Sequence, residues 1–117
     1  MGYYITLTDQ NLSCKKDISK DMNKMFDSKE LYYFWDCDNE AVRHGEGYLK
    51  WNTNFIKDLL TLKDMGVRGS LTCYGEEGEY YKFEIDNSSV KEYFGKITFP
   101  RKPGNIFKDK QKLDELD

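Results

Sequence analysis

Between Ser70 and Phe99 the chain carries three runs of strand-forming residues, Ser70–Tyr74, Tyr80–Asp86 and Val90–Phe99, separated only by Gly75–Glu79 and Asn87–Ser89. Connectors this short suit hairpins and leave no room for a crossover helix, so consecutive strands should run antiparallel as a meander. Side chains alternate between the two sides of a strand. The alternation assigns Leu71, Cys73, Tyr81, Phe83, Ile85, Ile97 and Phe99 to a covered face. Thr72, Tyr74, Tyr80 and Lys82 fall on the opposite one, where Tyr4 and either Tyr32 or Tyr33 could join them.

The preceding residues supply what covers that sheet. Gly2–Leu7 alternates as a first strand, and Ile18, Met22, Met25 and Phe26 form one helical face within Ser13–Phe26. Leu31–Trp35 is a short aromatic run that reads as a second strand, followed by a long acidic loop over Asp36–Gly47. Asn52 or Thr53 can cap a second helix that runs to Met65, with Phe55, Ile56, Leu59, Leu60 and Leu62 as its apolar stripe and Gly66 as its terminator. Pro100 and Pro103 mark the end of the strands. The expected fold is therefore a single α+β domain over residues 1–99, a mostly antiparallel sheet of about five strands with two helices packed on one face, in the order β-α-β-loop-α-β-β-β. A charged tail, helical or disordered, is expected over residues 100–117.

Composition narrows the functional classes. The 117 residues hold 18 basic and 21 acidic side chains, a formal charge of −3, which gives no long-range field suited to a phosphate backbone and disfavours nucleic acid as a partner. No apolar run approaches the roughly 20 residues of a membrane span, and Met1–Leu12 lacks the pattern of a secretory signal. Cys14, Cys37 and Cys73 are an odd number with no C-x-x-C pair, which reads as reduced thiols and a cytoplasmic location.

Three clusters invite a chemical reading. Asp36, Asp38 and Glu40 have the spacing of the first ligands of a calcium loop, but Ala41 stands where that loop needs glycine and Gly47 where it needs a closing glutamate. Cys37 and His44 share the same loop and could join a carboxylate in a metal site or a small catalytic centre, although two ligands make no site. Glu76, Glu77 and Glu79 concentrate negative charge on the glycine-bearing Gly75–Glu79 hairpin. No phosphate-binding glycine loop, dinucleotide fingerprint, serine elbow or Glu-x-Lys nuclease element is present, so no catalytic set is complete and no cofactor is implied.

The run GVRGSLTCYGEEGEYYKF, Gly66–Phe83, resembles a segment found in uncharacterised small proteins of bacteria and their phages, in which a glycine-terminated helix leads into a Gly-Glu-Glu hairpin. The resemblance implies a similar hairpin and a bacterial or phage origin, and brings no activity or catalytic residue with it.

The expected function is a non-enzymatic protein-binding module that presents Glu76, Glu77 and Glu79, Asp36, Asp38 and Glu40, together with Tyr74 and Tyr80, to a basic surface of a host protein. Inhibition of a defence nuclease is one form this could take. Two other readings stand beside it. One is a metal-dependent binding protein or small enzyme in the 36–47 loop. The other is single-stranded nucleic acid on the tyrosine face, supported by Lys82, Lys108, Lys110 and Lys112. Self-association through an uncovered sheet edge is also open.

Overall fold

The computed structural model describes residues 3–45, 49–75, 78–95 and 103–110. Its elements are β1 (Tyr3–Ser13), α1 (Ser19–Asp27), β2 (Trp35–Asp38), β3 (Ala41–His44), β4 (Leu49–Trp51), α2 (Thr53–Asp64), β5 (Arg68–Gly75), β6 (Tyr80–Ile85), β7 (Val90–Gly95) and β8 (Asn105–Phe107). The expected α+β arrangement of about five strands under two packed helices is overturned. Among the described residues all eight strands join one antiparallel sheet, in the order β2-β3-β1-β5-β6-β7-β8, with β4 paired to β1. The fold is dominated by its sheet.

The meander is present as the alternation requires, with Leu71 opposite Phe83 and Tyr74 opposite Tyr80 between β5 and β6, and Phe83 opposite Glu92 between β6 and β7. Leu71, Cys73, Phe83 and Ile85 are buried and Tyr81 is half-buried, whereas Ile97 and Phe99 lie outside the described residues. The strands missing from the sequence expectation, β3, β4 and β8, are only three or four residues long. β1 continues beyond Leu7 through Thr8, Asp9, Gln10 and Asn11, with Thr8 as an extra residue between the pairs Leu7–Cys73 and Asp9–Thr72. That bulge switches the inward phase from Ile5 and Leu7 to Gln10 and Leu12.

One edge of β1 is shared by two strands. β4 pairs with its first residues, through Tyr4–Lys50 and Ile5–Leu49, and β3 with its last, through Leu12–Val42. Between them, the His44 N–H donates to the Gln10 side-chain oxygen at 2.8 Å. The region expected to be a long acidic loop is thus largely the β2–β3 hairpin, turned at Asn39 with φ 56°, a left-handed conformation that asparagine tolerates. β8 pairs with β7 and buries Phe107 in the core, so residues 105–107 of the expected tail belong to the sheet.

The helix α2 forms where expected. Asn52 caps it by accepting the Phe55 N–H at 2.9 Å, and Gly66 takes φ 97° just beyond its end. Its buried Phe55, Ile56, Leu59, Leu60 and Leu62 cover β4, β6 and β7 on the inner side of the sheet. α1 is shorter than its apolar periodicity suggests and packs against β2 at the sheet's margin, contributing Met22 to the core.

Candidate functional site

The face of the sheet turned away from α2 has none of its described side chains buried. Register places three rows across it: Thr6, Tyr74 and Tyr80; Asp9, Thr72, Lys82 and Tyr93; and Asn11, Ser70, Glu84 and Lys91. Tyr4, beside Lys50, extends it onto β4. Tyr4 and Tyr74 are 46% and 41% exposed, a large aromatic area left in solvent.

The tyrosines are held rather than dangling. Tyr74 and Tyr80 meet edge to face with ring centroids 5.2 Å apart, the Lys50 ammonium lies 4.8 Å from the Tyr4 ring centre, and that of Lys82 lies 5.6 Å from the Tyr93 ring centre. Lys82 also approaches Glu84 at 3.6 Å, and Glu84 hydrogen-bonds and repels negative charge at Tyr93, raising its phenol above the usual range. Each tyrosine so fixed offers rigid contact area and a hydroxyl with little entropy left to lose on binding. Tyr93 and Lys50 were not singled out from sequence: the alternation that assigns Ile97 and Phe99 to the covered face would put Tyr93 there too, whereas buried Val90 and Glu92 set the opposite phase in β7.

Tyr74 and Tyr80 therefore stand together, with Glu79 immediately before Tyr80 at the β5–β6 turn, while Glu76 and Glu77 lie outside the described residues. Neither Tyr32 nor Tyr33 joins them: Tyr33 packs against Phe55 and His44, and Tyr32 lies beside α2 in the segment between α1 and β2. Asp36 and Asp38 alternate with buried Trp35 and Cys37 and are exposed with Glu40 at the β2–β3 hairpin. That hairpin pairs with Ser13 of β1, whereas Gly75 pairs with Ile5. Eight residues of strand separate the two acidic positions, about 25 Å at roughly 3.3 Å per residue. They occupy opposite ends of the sheet.

The same alternation divides the alternative site. Asp36 and Asp38 point outward, while Cys37 is buried and His44 stands opposite Trp35 with its ring 5.6 Å from the indole. The Cys37 thiol donates to the Asn39 carbonyl at 3.3 Å, and burial lowers the His44 pKa. Among the described residues no three His, Cys, Asp or Glu side chains converge as metal ligands.

Two carboxylates absent from the sequence reading are the most perturbed acids in the interior. Asp58 accepts from Tyr32 N–H, Tyr33 N–H and the Trp35 indole, and burial pushes it up to about 6 against those three donors. Glu92, raised by burial, accepts from the Trp51 indole and the Asn105 amide. Their hydrophilic character hid them, since a single Asp or Glu in an apolar stripe reads as a solvated position. Both are fully buried and turned onto protein donors, so they tie elements together. Cys73 is pushed up to about 12 by burial and by the Glu92 charge, which leaves a protonated thiol rather than a nucleophile at neutral pH.

Among the described residues no helix is long and apolar enough to cross a membrane. Comparison of the chain with protein-family models, with curated proteins and with solved structures gives no match.

Proposed function

We propose that this protein is a non-enzymatic binding module whose open sheet face docks onto a basic patch of another protein. The observation that carries the reading is the uncovered row of Tyr74 and Tyr80 with exposed Tyr4 nearby, adjoining the turn that bears Glu79. Aromatic anchors beside an acidic rim suit arginine- and lysine-rich protein surfaces: the rings stack against guanidinium groups and the carboxylates steer the approach. Glu76 and Glu77 adjoin that rim in sequence. The Asp36–Asp38 corner, about 25 Å away, falls within the width of a standard interface of about 800 Å² per partner. A cytoplasmic setting and inhibition of a host nucleic-acid enzyme, whose basic groove such a surface would cover, are the finer form of this proposal.

The test compares the full chain with its Tyr74→Ala/Tyr80→Ala and Glu79→Gln variants as bait in lysate at low and high salt. A stoichiometric protein partner that is lost with the tyrosines, weakened by Glu79→Gln and released by salt supports the reading. A partner held equally by the tyrosine variant overturns it. So does saturable binding of a labelled oligothymidylate to the same face, which would instead make the lysines over Tyr4 and Tyr93 the supports of a single-strand platform.

A further inference from the structure

Three neighbouring cavities share Met65, which follows the C-terminal end of α2. One of about 430 Å³ lies between Cys14, Lys16 and Arg68 just beyond the C-terminal end of α2. The next, of about 440 Å³, has Ile18, Met25 and Lys24 on its walls. The third, of about 510 Å³, extends past Lys29 and Thr61 to Lys110. Met65 lines all three and Met25 two, so flexible thioether side chains are shared between neighbouring cavities whose rims differ in charge from the rest of the chain. Seven lysine and arginine side chains border the groove against the carboxylates of Asp21, Glu30 and Asp64, in a chain whose formal charge is −3.

We propose that this groove docks an acidic, leucine-bearing peptide segment of a partner protein. The cations are spread along the groove instead of converging on one point, which matches carboxylates spaced along a peptide rather than a single small anion. The shared methionines give apolar side chains a surface that can repack around them, and they would gain nothing from a phosphate backbone. Thr61 adds a specific feature. Its side chain is part of the wall beside Lys29 and Lys110, only 4% of the residue is exposed, and its hydroxyl has no hydrogen-bond partner among the described residues, so it has a hydrogen bond still to give.

The backbone at Lys29 bears on the same point. It holds φ 64°, a left-handed position where glycine is favoured, and it presents an exposed cation at the groove's edge. Replacing it by glycine removes the charge without endangering the fold.

The experiment is fluorescence anisotropy of the full chain with a labelled peptide of repeated Leu-Asp-Glu at low salt, set against the same peptide with serine for leucine and against a single-stranded oligonucleotide of equal charge. The expected result is saturable binding of the leucine peptide, weakened about tenfold or more in a Lys29→Gly/Lys110→Gln variant that melts no lower than the native protein. Equal binding to that variant overturns the proposal. A serine peptide that binds as tightly, or an oligonucleotide that displaces the leucine peptide, overturns it too. None of the residues in the three rows of the tyrosine face lines the groove, so these outcomes are independent of Tyr74→Ala/Tyr80→Ala.

Discussion

The Asp58 carboxylate on α2 and the Trp35 indole at the start of β2 meet at 2.9 Å in the interior, and the same carboxyl group accepts the Tyr32 and Tyr33 N–H groups at 2.8 Å each. One buried side chain thereby anchors the connection between α1 and β2 to the helix that covers the sheet. Asp58→Asn puts an amide donor against N–H donors on one side of this arrangement and is expected to lower stability by about 2–4 kcal/mol. Denaturant unfolding, followed through tryptophan fluorescence, measures it.

The pH dependence of that anchor has a definite sign. Burial raises Asp58 from the ordinary aspartate value of 3.8 to about 6 in the folded protein. As pH falls through about 6 the folded chain takes up a proton that the unfolded chain accepts only near 3.8, so this group's contribution to stability grows over that window and is lost as pH rises back through 6. The stability difference between the native protein and Asp58→Asn should therefore widen from pH 7 to pH 4. A gap that narrows on acidification would show that the three donors, not burial, govern the group.

These anchors also explain what was legible in the sequence. The β5–β6–β7 meander and α2 were readable because each obeys a period, alternation in the strands and the Phe55–Leu62 stripe after the Asn52 cap in the helix. The aromatic run Leu31–Trp35 looked like a strand, yet strand pairing begins only at Trp35, because the Tyr32 and Tyr33 N–H groups are committed to Asp58, 26 and 25 residues further on. No local pattern carries that information.

The short strands failed for a related reason. β3, β4 and β8 are three or four residues long, too short for alternation to register, and exist because β1 and β7 offer them an edge. The tyrosine face was readable in part: Tyr74, Tyr80 and Lys82 followed from the meander, whereas the cation over the Tyr4 ring depends on pairing with β4. The separation of Glu79 from Asp36 and Asp38 is a matter of where two hairpins attach along β1 and has no sequence signature.

Tyr74 and Tyr80 should be coupled but dispensable to the fold. Because both rings are at least partly exposed and their contact is 5.2 Å edge to face, a double-mutant cycle with alanine should give a coupling energy of about 0.5–1 kcal/mol, with the double variant still folding cooperatively. Loss of cooperative unfolding in the double variant would make the pair a structural prop and remove the reason for reading it as a binding surface.

Lys29→Gly should stabilise the protein. The end of α1 is closed by Glu30 and Leu31 N–H groups donating to the Met25 carbonyl at 2.7 and 3.0 Å, with Lys29 itself at φ 64°. A side chain in that conformation costs roughly 1 kcal/mol that glycine does not, partly offset by the greater freedom glycine has when unfolded. A net gain of about 0.5 kcal/mol in denaturant unfolding is expected. A loss would mean that the lysine side chain contributes to the fold rather than to the groove it borders.

Gly69 is the position where the sheet tolerates least. It pairs with Leu12 on one side and Ile85 on the other, holds φ 127°, and a Cβ placed there would collide with the Asn11 carbonyl oxygen, a backbone atom that cannot swing aside. Gly69→Ala thus combines a disfavoured dihedral with a steric block one pair from the end of the β1–β5 pairing, where β3 also joins β1, and a loss of about 3 kcal/mol or more is expected. The effect should be local in origin and global in reach. β1 carries β3 and β4 on its far edge, so hydrogen exchange in the variant should rise at Val42 and Leu49 as well as at Leu71. An alanine variant with native stability would mean that β1 and β5 lie farther apart at this point than the close approach at Asn11 requires.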